Sequence, residues 1–393
     1  MQLNVGIIGG SLGGLTAALF LKDAGCDVTV FERSPEPLTA RGAGIVLHDS
    51  TTRYFTERGS DAIDSVATLC QQLQYLDRDG SIQWEAPSDY RFVSYSALWG
   101  SLMREFGLQR YVHGESLVGF DAACDGVGVR FASGRQERFD LLVCADGVSS
   151  TARQRLAPER QPEYSGYVGW RGFVDESRLS LKTRECLYDN ITYGVIDNSH
   201  IVAYNIPHGD GTNPAGKRLM NFVWYRNVPE GSQLDELMTD LNGVNRPISM
   251  HPGTLQHRYV DEIRRSAHDL LPPQLAEMVV QTQEPFIQAI VDVQMPRTVF
   301  GRICVIGDAA FAARPHAASG TAKAAEDGYQ LSKSLANHGF DVDAALADFE
   351  PKQLKLGCQL VARAREMGHR SQFASTWKAG DPSLMFGLYG PGR

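Results

Sequence analysis

The first 32 residues constrain the fold most, because strand and helix patterns alternate there around a glycine-rich turn. Residues 3–8 are apolar and partly β-branched, and the turn at residues 9–14 (GGSLGG) cannot lie in a regular element. Residues 15–24 have the apolar spacing of a helix, which Gly25 ends, and residues 27–31 (DVTVF) are a second strand. The pattern predicts a βαβ unit and therefore a parallel sheet at the N-terminus.

This unit also carries the features of a dinucleotide site. Gly9 and Gly14 let the backbone approach a pyrophosphate, and the N-terminus of the following helix offers free N–H groups. Glu32 stands 23 residues beyond Gly9, at the end of the second strand, where an acidic residue accepts hydrogen bonds from ribose hydroxyls. Ser11, which is followed by Leu12, stands where the dinucleotide-binding motif usually has its second glycine, and it still permits close approach of the backbone to the pyrophosphate. A glycine turn alone is also compatible with an ordinary connection, so the prediction depends on the strand and Glu32 together.

Two later segments each deliver an acidic residue from an apolar strand into a loop. Residues 140–146 (DLLVCAD) end in Asp146, and residues 302–308 (RICVIGD) end in Asp308, where a carboxylate can bind a polyol. A Gly-containing loop follows Asp308, and a long helix is predicted from about residue 321 to 335. The junction at Asp146 by itself is equally typical of a plain strand-to-turn connection, whereas Gly-Asp at the end of a strand, as at Asp308, is moderately specific.

Between these segments the sequence pattern changes to that of an antiparallel sheet. Residues 167–174, 201–206 and 219–225 are aromatic and β-branched, and turn clusters separate them. The α/β pattern then returns near residue 302. The predicted fold class is therefore α/β, with a Rossmann-like nucleotide-binding domain interleaved with an antiparallel-sheet domain that covers a substrate pocket.

Charge and cysteine usage exclude several classes of partner. Lys and Arg number 38 against 46 Asp and Glu, which gives a net charge of −8, and no long basic run is present. Nucleic acid and an anionic membrane surface are therefore not expected as partners. The seven cysteines are scattered without metal-binding spacing, and no stretch is apolar enough for a membrane span. We expect a cytoplasmic globular protein without a metal site.

In this order and at these separations, the three motifs resemble those of the flavin-dependent aromatic hydroxylases of the para-hydroxybenzoate hydroxylase type, the single-component class A monooxygenases. The resemblance covers nearly the whole chain. It is strongest to the members that hydroxylate dihydroxypyridines. The segments that carry it are residues 9–18 (GGSLGGLTAA), 167–172 (YVGWRG), 234–240 (LDELMTD), 307–310 (GDAA) and 314–318 (RPHAA).

The resemblance implies that the chain binds FAD. Gly9, Gly14 and Glu32 would hold the ADP half, Asp308 the ribitol, and the loop at 315–322 would surround the flavin ring. The full set of implied cofactor neighbours is Gly9, Ser11, Leu12, Gly14, Glu32, Arg33, Arg41, Asp146, Asp308, Pro315, Ala318, Ser319, Gly320, Thr321 and Ala322. The implied FAD-binding domain comprises residues 1–75, 95–160 and 290–370, the substrate domain 76–94 and 161–289, and a tail 371–393.

The implied reaction is hydroxylation of a small aromatic ring. NADH or NADPH reduces the flavin, dioxygen forms a flavin C4a-hydroperoxide, and the terminal oxygen passes to an electron-rich ring. Ionisation of a ring hydroxyl activates the ring, so a nearby His or Tyr is expected to accept or relay that proton. The candidates are His48, Tyr204, His208, Tyr225 and His316.

The expected substrate is 2,6-dihydroxypyridine or a related hydroxypyridine. A phenol, a benzoate or a purine stays open as the ring, as does a non-hydroxylating flavin reductase or halogenase of the same fold, although the Trp-x-Trp motif of halogenases is absent. A non-catalytic dinucleotide-binding protein is the alternative from another class. The choice between NADH and NADPH and a possible homodimer also stay open.

Overall fold

The structure is a computed structural model that describes residues 2–38, 44–208 and 210–393. The helices are α1 (Leu12–Asp23), α2 (Asp49–Thr56), α3 (Tyr95–Phe106), α4 (Thr151–Leu156), α5 (Leu181–Leu187), α6 (Ser232–Leu237), α7 (His257–Leu270), α8 (Pro273–Gln281), α9 (Gly320–Asn337) and α10 (Val342–Gln372). The strands are β1 (Asn4–Ile8), β2 (Asp27–Glu32), β3 (Gly44–Leu47), β4 (Thr68–Leu69), β5 (Gln72–Leu76), β6 (Ile82–Pro87), β7 (Arg91–Ser94), β8 (Tyr111–His113), β9 (Leu117–Ala123), β10 (Gly126–Phe131), β11 (Gln136–Phe139), β12 (Leu141–Cys144), β13 (Glu163–Asp175), β14 (Asn190–Ile196), β15 (Ser199–Ile206), β16 (Leu219–Asn227), β17 (Phe286–Gln294), β18 (Val299–Phe300), β19 (Ile303–Val305) and β20 (Phe311–Ala312).

A mostly parallel sheet contains the predicted N-terminal βαβ unit. Its strand order is β18-β19-β12-β1-β2-β8, and all neighbours are parallel except β18 and β19. The helix α1 begins at Leu12 rather than at residue 15, because Ser11 takes the extended backbone of an N-cap and Leu12 is already buried. The order brings the ends of β1, β12 and β19 together, so the three sequence motifs meet at one edge of the sheet.

A second sheet, ordered β20-β17-β13-β16-β15-β14-β5-β6, is antiparallel apart from the pairing of β14 with β5. Alternate residues of its long strands face opposite sides. Trp170 and Trp224 pack against α7 and α8 in one core cluster. Tyr167 and Tyr225 lie on the other face, in a cluster with Ala317 from the loop before α9. The second face is therefore turned toward the predicted flavin loop.

Two of the expected domain boundaries fall inside strands, and a third falls inside a helix. A division between residues 75 and 76 would cut β5, and one between 289 and 290 would cut β17, yet both strands hydrogen-bond within the antiparallel sheet. Within the expected insertion at 76–94, β7 pairs with β3 in a separate small sheet. The helix α10 continues to Gln372, so the tail begins at residue 373. The division into two domains itself stays a prediction.

In the parts of the chain that the structure describes, no helix is both long and apolar enough to cross a membrane.

Candidate active site

A cavity of about 1270 Å³ lies between the glycine turn, the loop before α9 and the inner face of the antiparallel sheet. Sites for a single drug-sized ligand measure about 300–1,000 Å³. The cavity therefore has room for part of a dinucleotide cofactor and a small second molecule. One end is lined by the glycine turn, Asp308 and the N-terminus of α9, and the other end by aromatic residues of the sheet.

The glycine turn is built for close backbone approach. Gly9 has a φ of +102°, and a Cβ there would lie 2.3 Å from the Ala145 carbonyl oxygen. A Cβ at Gly14 would lie 1.9 Å from the carbonyl oxygen of Gly9. Only glycine fits either position. Ser11 and Leu12 line the cavity, so the N-terminus of α1 faces the space where a pyrophosphate would lie.

Glu32 braces this turn from within the protein. Its carboxylate accepts hydrogen bonds from the Gly10 amide at 2.8 Å and the Ser34 amide at 2.9 Å, and the residue is buried. A contact between Glu32 and a ribose therefore stays a prediction. Arg33 is exposed and lines the cavity. Arg41 lies outside the described residues.

Asp308 opens into the cavity just beyond β19. Among the described residues its carboxylate has no hydrogen-bond partner. Burial raises its pKa to about 6, and the positive charge of Arg153 opposes that shift. An unpaired carboxylate that lines the cavity is an acceptor for hydroxyl groups of a polyol such as ribitol.

In the described segments, Asp146, unlike Asp308, is hydrogen-bonded to neighbouring protein groups. Its two oxygens accept hydrogen bonds from the Ser150 hydroxyl at 2.5 Å and the Ala152 amide at 3.0 Å. The carboxylate thus fixes the start of α4 and the preceding backbone at residues 147–149, which lines the cavity. The structure supports an indirect role of Asp146 in holding this loop.

The loop before α9 forms the floor of the cavity. Ala318 has a φ of +53°, and the helix that follows begins at Gly320. The first amides of α9 have no partner within the helix, so they present positive potential to the cavity. Of the predicted loop residues, Ala322 is buried in the core behind the cavity. Those that line the cavity are Pro315, Ala318, Ser319, Gly320 and Thr321.

His48 supports this loop from behind. Its Nε2 donates a hydrogen bond to the Ala318 carbonyl oxygen at 2.9 Å. Burial lowers the pKa of His48, so the ring is neutral near pH 7. A ring that bonds to the loop backbone in this way is placed to position the segment that is predicted to face the flavin.

Three of the other proton-accepting candidates lie together on the aromatic wall. Tyr204 donates its hydroxyl to the Gly44 carbonyl oxygen at 3.0 Å, and burial raises its pKa to about 12. Tyr225 lines the cavity, and its hydroxyl has no hydrogen-bond partner within the described part of the chain. His316 Nε2 lies 2.7 Å from the Tyr167 hydroxyl, while His316 Nδ1 is buried without a partner.

The histidines on this wall are held neutral. Burial lowers the pKa of His316 well below its ordinary value, and the neighbouring His200 and Arg314 add to the effect. His208 lies at the rim instead, where its Nε2 is 3.0 Å from an oxygen of Asp175. The wall therefore offers neutral hydrogen-bonding groups to a substrate.

Several residues that line the cavity were not predicted from the sequence as site residues, and three of them lie on β13, β15 and the C-terminal tail. Arg171 lines the cavity from β13, and its Nε is buried without a hydrogen-bond partner. His200 lies on β15, and Trp377 comes from the C-terminal tail. Because alternate residues of a strand share a face, Arg171 lies on the same face as Tyr167, and this spacing could have predicted Arg171 as a cavity residue. No sequence signal indicates Trp377.

Comparison with known proteins identifies the family. An FAD binding domain model matches residues 2–189, and an FAD binding domain-like model matches residues 164–292. The 2,6-dihydroxypyridine 3-monooxygenase of Paenarthrobacter nicotinovorans is 37% identical over 387 residues, which cover 98% of this chain and 96% of that protein. The chain belongs to the FAD-dependent aromatic hydroxylases. The aurachin C monooxygenase/isomerase of Stigmatella aurantiaca is 28% identical, with 95% of this chain and 91% of that protein covered.

A solved structure of 2,6-dihydroxypyridine-3-hydroxylase from Arthrobacter nicotinovorans gives the same result. That structure superposes on the present chain with a TM-score of 0.93 at 35% sequence identity, and the match covers 98% of this chain and 97% of the solved one. The predicted family, the α/β fold with its antiparallel sheet, the FAD cofactor and the monooxygenase reaction are confirmed.

The residues present fit FAD. The unpaired Asp308 carboxylate, the two positions where only glycine fits and the first amides of α9 provide acceptor, space and donors in one cavity. As a member of this family, the chain is an FAD-dependent monooxygenase that takes NAD(P)H as co-substrate.

Proposed function

We propose that this hydroxylase acts on a small hydroxypyridine, such as 2,6-dihydroxypyridine, and adds oxygen beside an existing ring hydroxyl. The observation that carries the proposal is the Arg171 guanidinium, which lies in an aromatic-walled cavity and has no hydrogen bond or ion pair within the described residues. The similarity to 2,6-dihydroxypyridine 3-monooxygenase over nearly the whole chain supports the choice of ring.

Arg171 is half-buried, and a cation with a buried, unpaired Nε is stabilised when it binds an anion. Arg171 is close enough to lower the pKa of both Tyr204 and Tyr225 by its charge, although burial raises both pKa values overall. The same charge favours the ionised form of a hydroxypyridine that binds beside these two tyrosines. Ionisation increases the electron density of the ring, which is what oxygen transfer requires.

The remaining wall residues orient the ring. Bound FAD, once reduced by NAD(P)H, would supply the two electrons with which one atom of dioxygen enters the ring and the other leaves as water. The Tyr225 hydroxyl is free to donate to a ring oxygen or to take part in moving its proton. His316 is neutral and buried, so it packs against the ring without competing with Arg171 for the anion. The buried wall keeps water away from the reacting carbon.

The first test compares 2,6-dihydroxypyridine with para-hydroxybenzoate by product analysis and NAD(P)H consumption. We expect hydroxylated product from the pyridine. If only the benzoate yields product, the hydroxypyridine assignment is wrong while the flavin chemistry stands.

The second test is Arg171→Gln. Loss of a charge-assisted hydrogen bond of about 1.5–3 kcal/mol should lower kcat/KM for 2,6-dihydroxypyridine about 10- to 100-fold, with FAD content unchanged. Arg265→Gln is the matched control, because Arg265 is exposed on α7, on the other side of the antiparallel sheet. An Arg171→Gln enzyme as efficient as wild type would refute the assigned anion site.

A homodimer and a cytoplasmic location stay predictions.

A further inference from the structure

The C-terminal tail, residues 373–393, contributes a wall to the substrate end of the cavity. Trp377 is 5% exposed and lines the cavity. Its ring stacks on His200, with 4.5 Å between ring centroids and 22° between ring planes. Its Nε1 donates a hydrogen bond to the Tyr75 hydroxyl at 3.3 Å. The indole is thus held both by its face and by its edge.

Arginines of α10 fix the tail in place. Arg370 donates to the Thr376 carbonyl oxygen at 3.0 Å and to an oxygen of Asp381 at 2.5 Å. Arg363 donates to the Gly387 carbonyl oxygen at 2.6 Å. These bonds attach the tail to α10 at two places, near residues 376–381 and at residue 387.

The tail also bonds to the loop that faces the flavin. The Gly387 amide donates to the Ala317 carbonyl oxygen at 3.2 Å. Phe386, the residue before it, lines the cavity, and its amide donates to the Tyr90 hydroxyl at 3.2 Å. The position of the wall and the position of the flavin-facing loop are therefore set by the same segment.

From this geometry we propose that Trp377 is a specificity-determining residue that limits the substrate to a single ring. The inference rests on the proposed function, because it takes the aromatic end of the cavity to be the substrate site. Arg171 binds the anionic oxygen from β13, while Trp377 bounds the ring from the tail. A buried indole fixed on two sides cannot move aside without losing the stack on His200 and the hydrogen bond to Tyr75.

The test uses two substrates that share the hydroxypyridine edge, 2,6-dihydroxypyridine and the two-ring 2,4-dihydroxyquinoline. For each enzyme, the ratio of kcat/KM values is measured from product formed. Pocket size discriminates by about 10- to 200-fold for small differences in a substrate. We expect Trp377→Ala to shift the ratio toward the quinoline by about tenfold or more, and Trp377→Phe to shift it less.

Trp84→Ala is the matched control. Trp84 packs on the tail at Gly380, where a Cβ would lie 2.7 Å from the indole, but it does not line the cavity. An equal shift in Trp84→Ala would mean that a loosened tail, not the Trp377 wall, sets ring size, and would overturn the inference. An unchanged ratio in folded, FAD-containing Trp377→Ala or Trp377→Phe would also overturn it.

The same experiment distinguishes failure of the proposed function from failure of the inference about Trp377. If wild-type enzyme accepts only para-hydroxybenzoate, the same ratio is measured with para-hydroxybenzoate and 6-hydroxy-2-naphthoate. A shift toward the naphthoate in the Trp377 variants then supports the wall although the hydroxypyridine assignment has failed.

Discussion

Replacing Asp308 tests how the cofactor is held. The carboxylate opens into the cavity beside the start of α9 and has no partner among the described residues, so its acceptor capacity is unused by the protein itself. We expect Asp308→Ala to lose a charge-assisted hydrogen bond to a ribitol hydroxyl. The cost is about 1.5–3 kcal/mol, which is an FAD Kd about 10- to 100-fold higher.

The measurement is titration of apoenzyme with FAD, followed by the change in flavin fluorescence. Asp308→Asn keeps an acceptor and loses the charge, so its Kd should lie between those of wild type and Asp308→Ala. Asp121→Asn is the control, because Asp121 is exposed on β9 and pairs with Arg130 at the surface. Equal Kd values for wild type and Asp308→Ala would refute the role of this carboxylate.

The pKa of Asp308 adds a pH dependence with a definite sign. Because burial raises this pKa from 3.8 to about 6, native apoprotein binds the proton more tightly than unfolded chain does. The contribution of Asp308 to the free energy of unfolding therefore falls as pH rises from 3.8 to about 6. FAD affinity should rise over the upper part of that window, because the ionised carboxylate is the stronger acceptor. Asp308→Asn should lack both effects.

Two further replacements separate support of the site from direct contact with ligands. In Glu32→Gln, the single amide oxygen cannot accept hydrogen bonds from both the Gly10 and Ser34 amides. The free energy of unfolding of the apoprotein, measured with urea, should therefore fall by about 1–3 kcal/mol. Wild-type stability together with weaker FAD binding would instead indicate that Glu32 only contacts the ribose. His48→Gln keeps a donor near the position of Nε2 for the Ala318 carbonyl oxygen and should retain most hydroxylation activity, whereas loss by about 10²–10⁴ at normal FAD content would show that His48 is the base.

The cofactor half of the site could be predicted because each of its parts is local in the sequence. The turn at residues 9–14, the strand end at Asp308 and the loop at 315–322 each have their function within a few consecutive residues. Their meeting follows from the order of β1, β12 and β19 in the parallel sheet, since carboxyl ends of parallel strands share an edge. Glu32 shows the limit of this reasoning, because its two backbone partners appear only in the folded turn.

The substrate half depends on distant segments and on register. Arg171 and Tyr225 share a face because β13 pairs with β16 so that Arg171 lies opposite Val223 and Gly169 opposite Tyr225. A slip of one residue would turn every such side chain to the other face, and no short motif fixes that choice. Strand alternation predicts which residues lie together, but it does not predict which face meets the flavin.

The C-terminal tail could not be interpreted from the sequence because it has no regular period to detect. Its position depends on arginine bonds to backbone and carboxylate oxygens, such as Arg363 to Gly387 and Arg370 to Asp381, rather than on an amphipathic pattern. Trp377 therefore reaches the cavity without any motif around it. The proposed role of Trp377 predicts that a change in this segment alone, with the flavin motifs unchanged, alters the ring that the enzyme accepts, and the Trp377 variants measure how large that effect is.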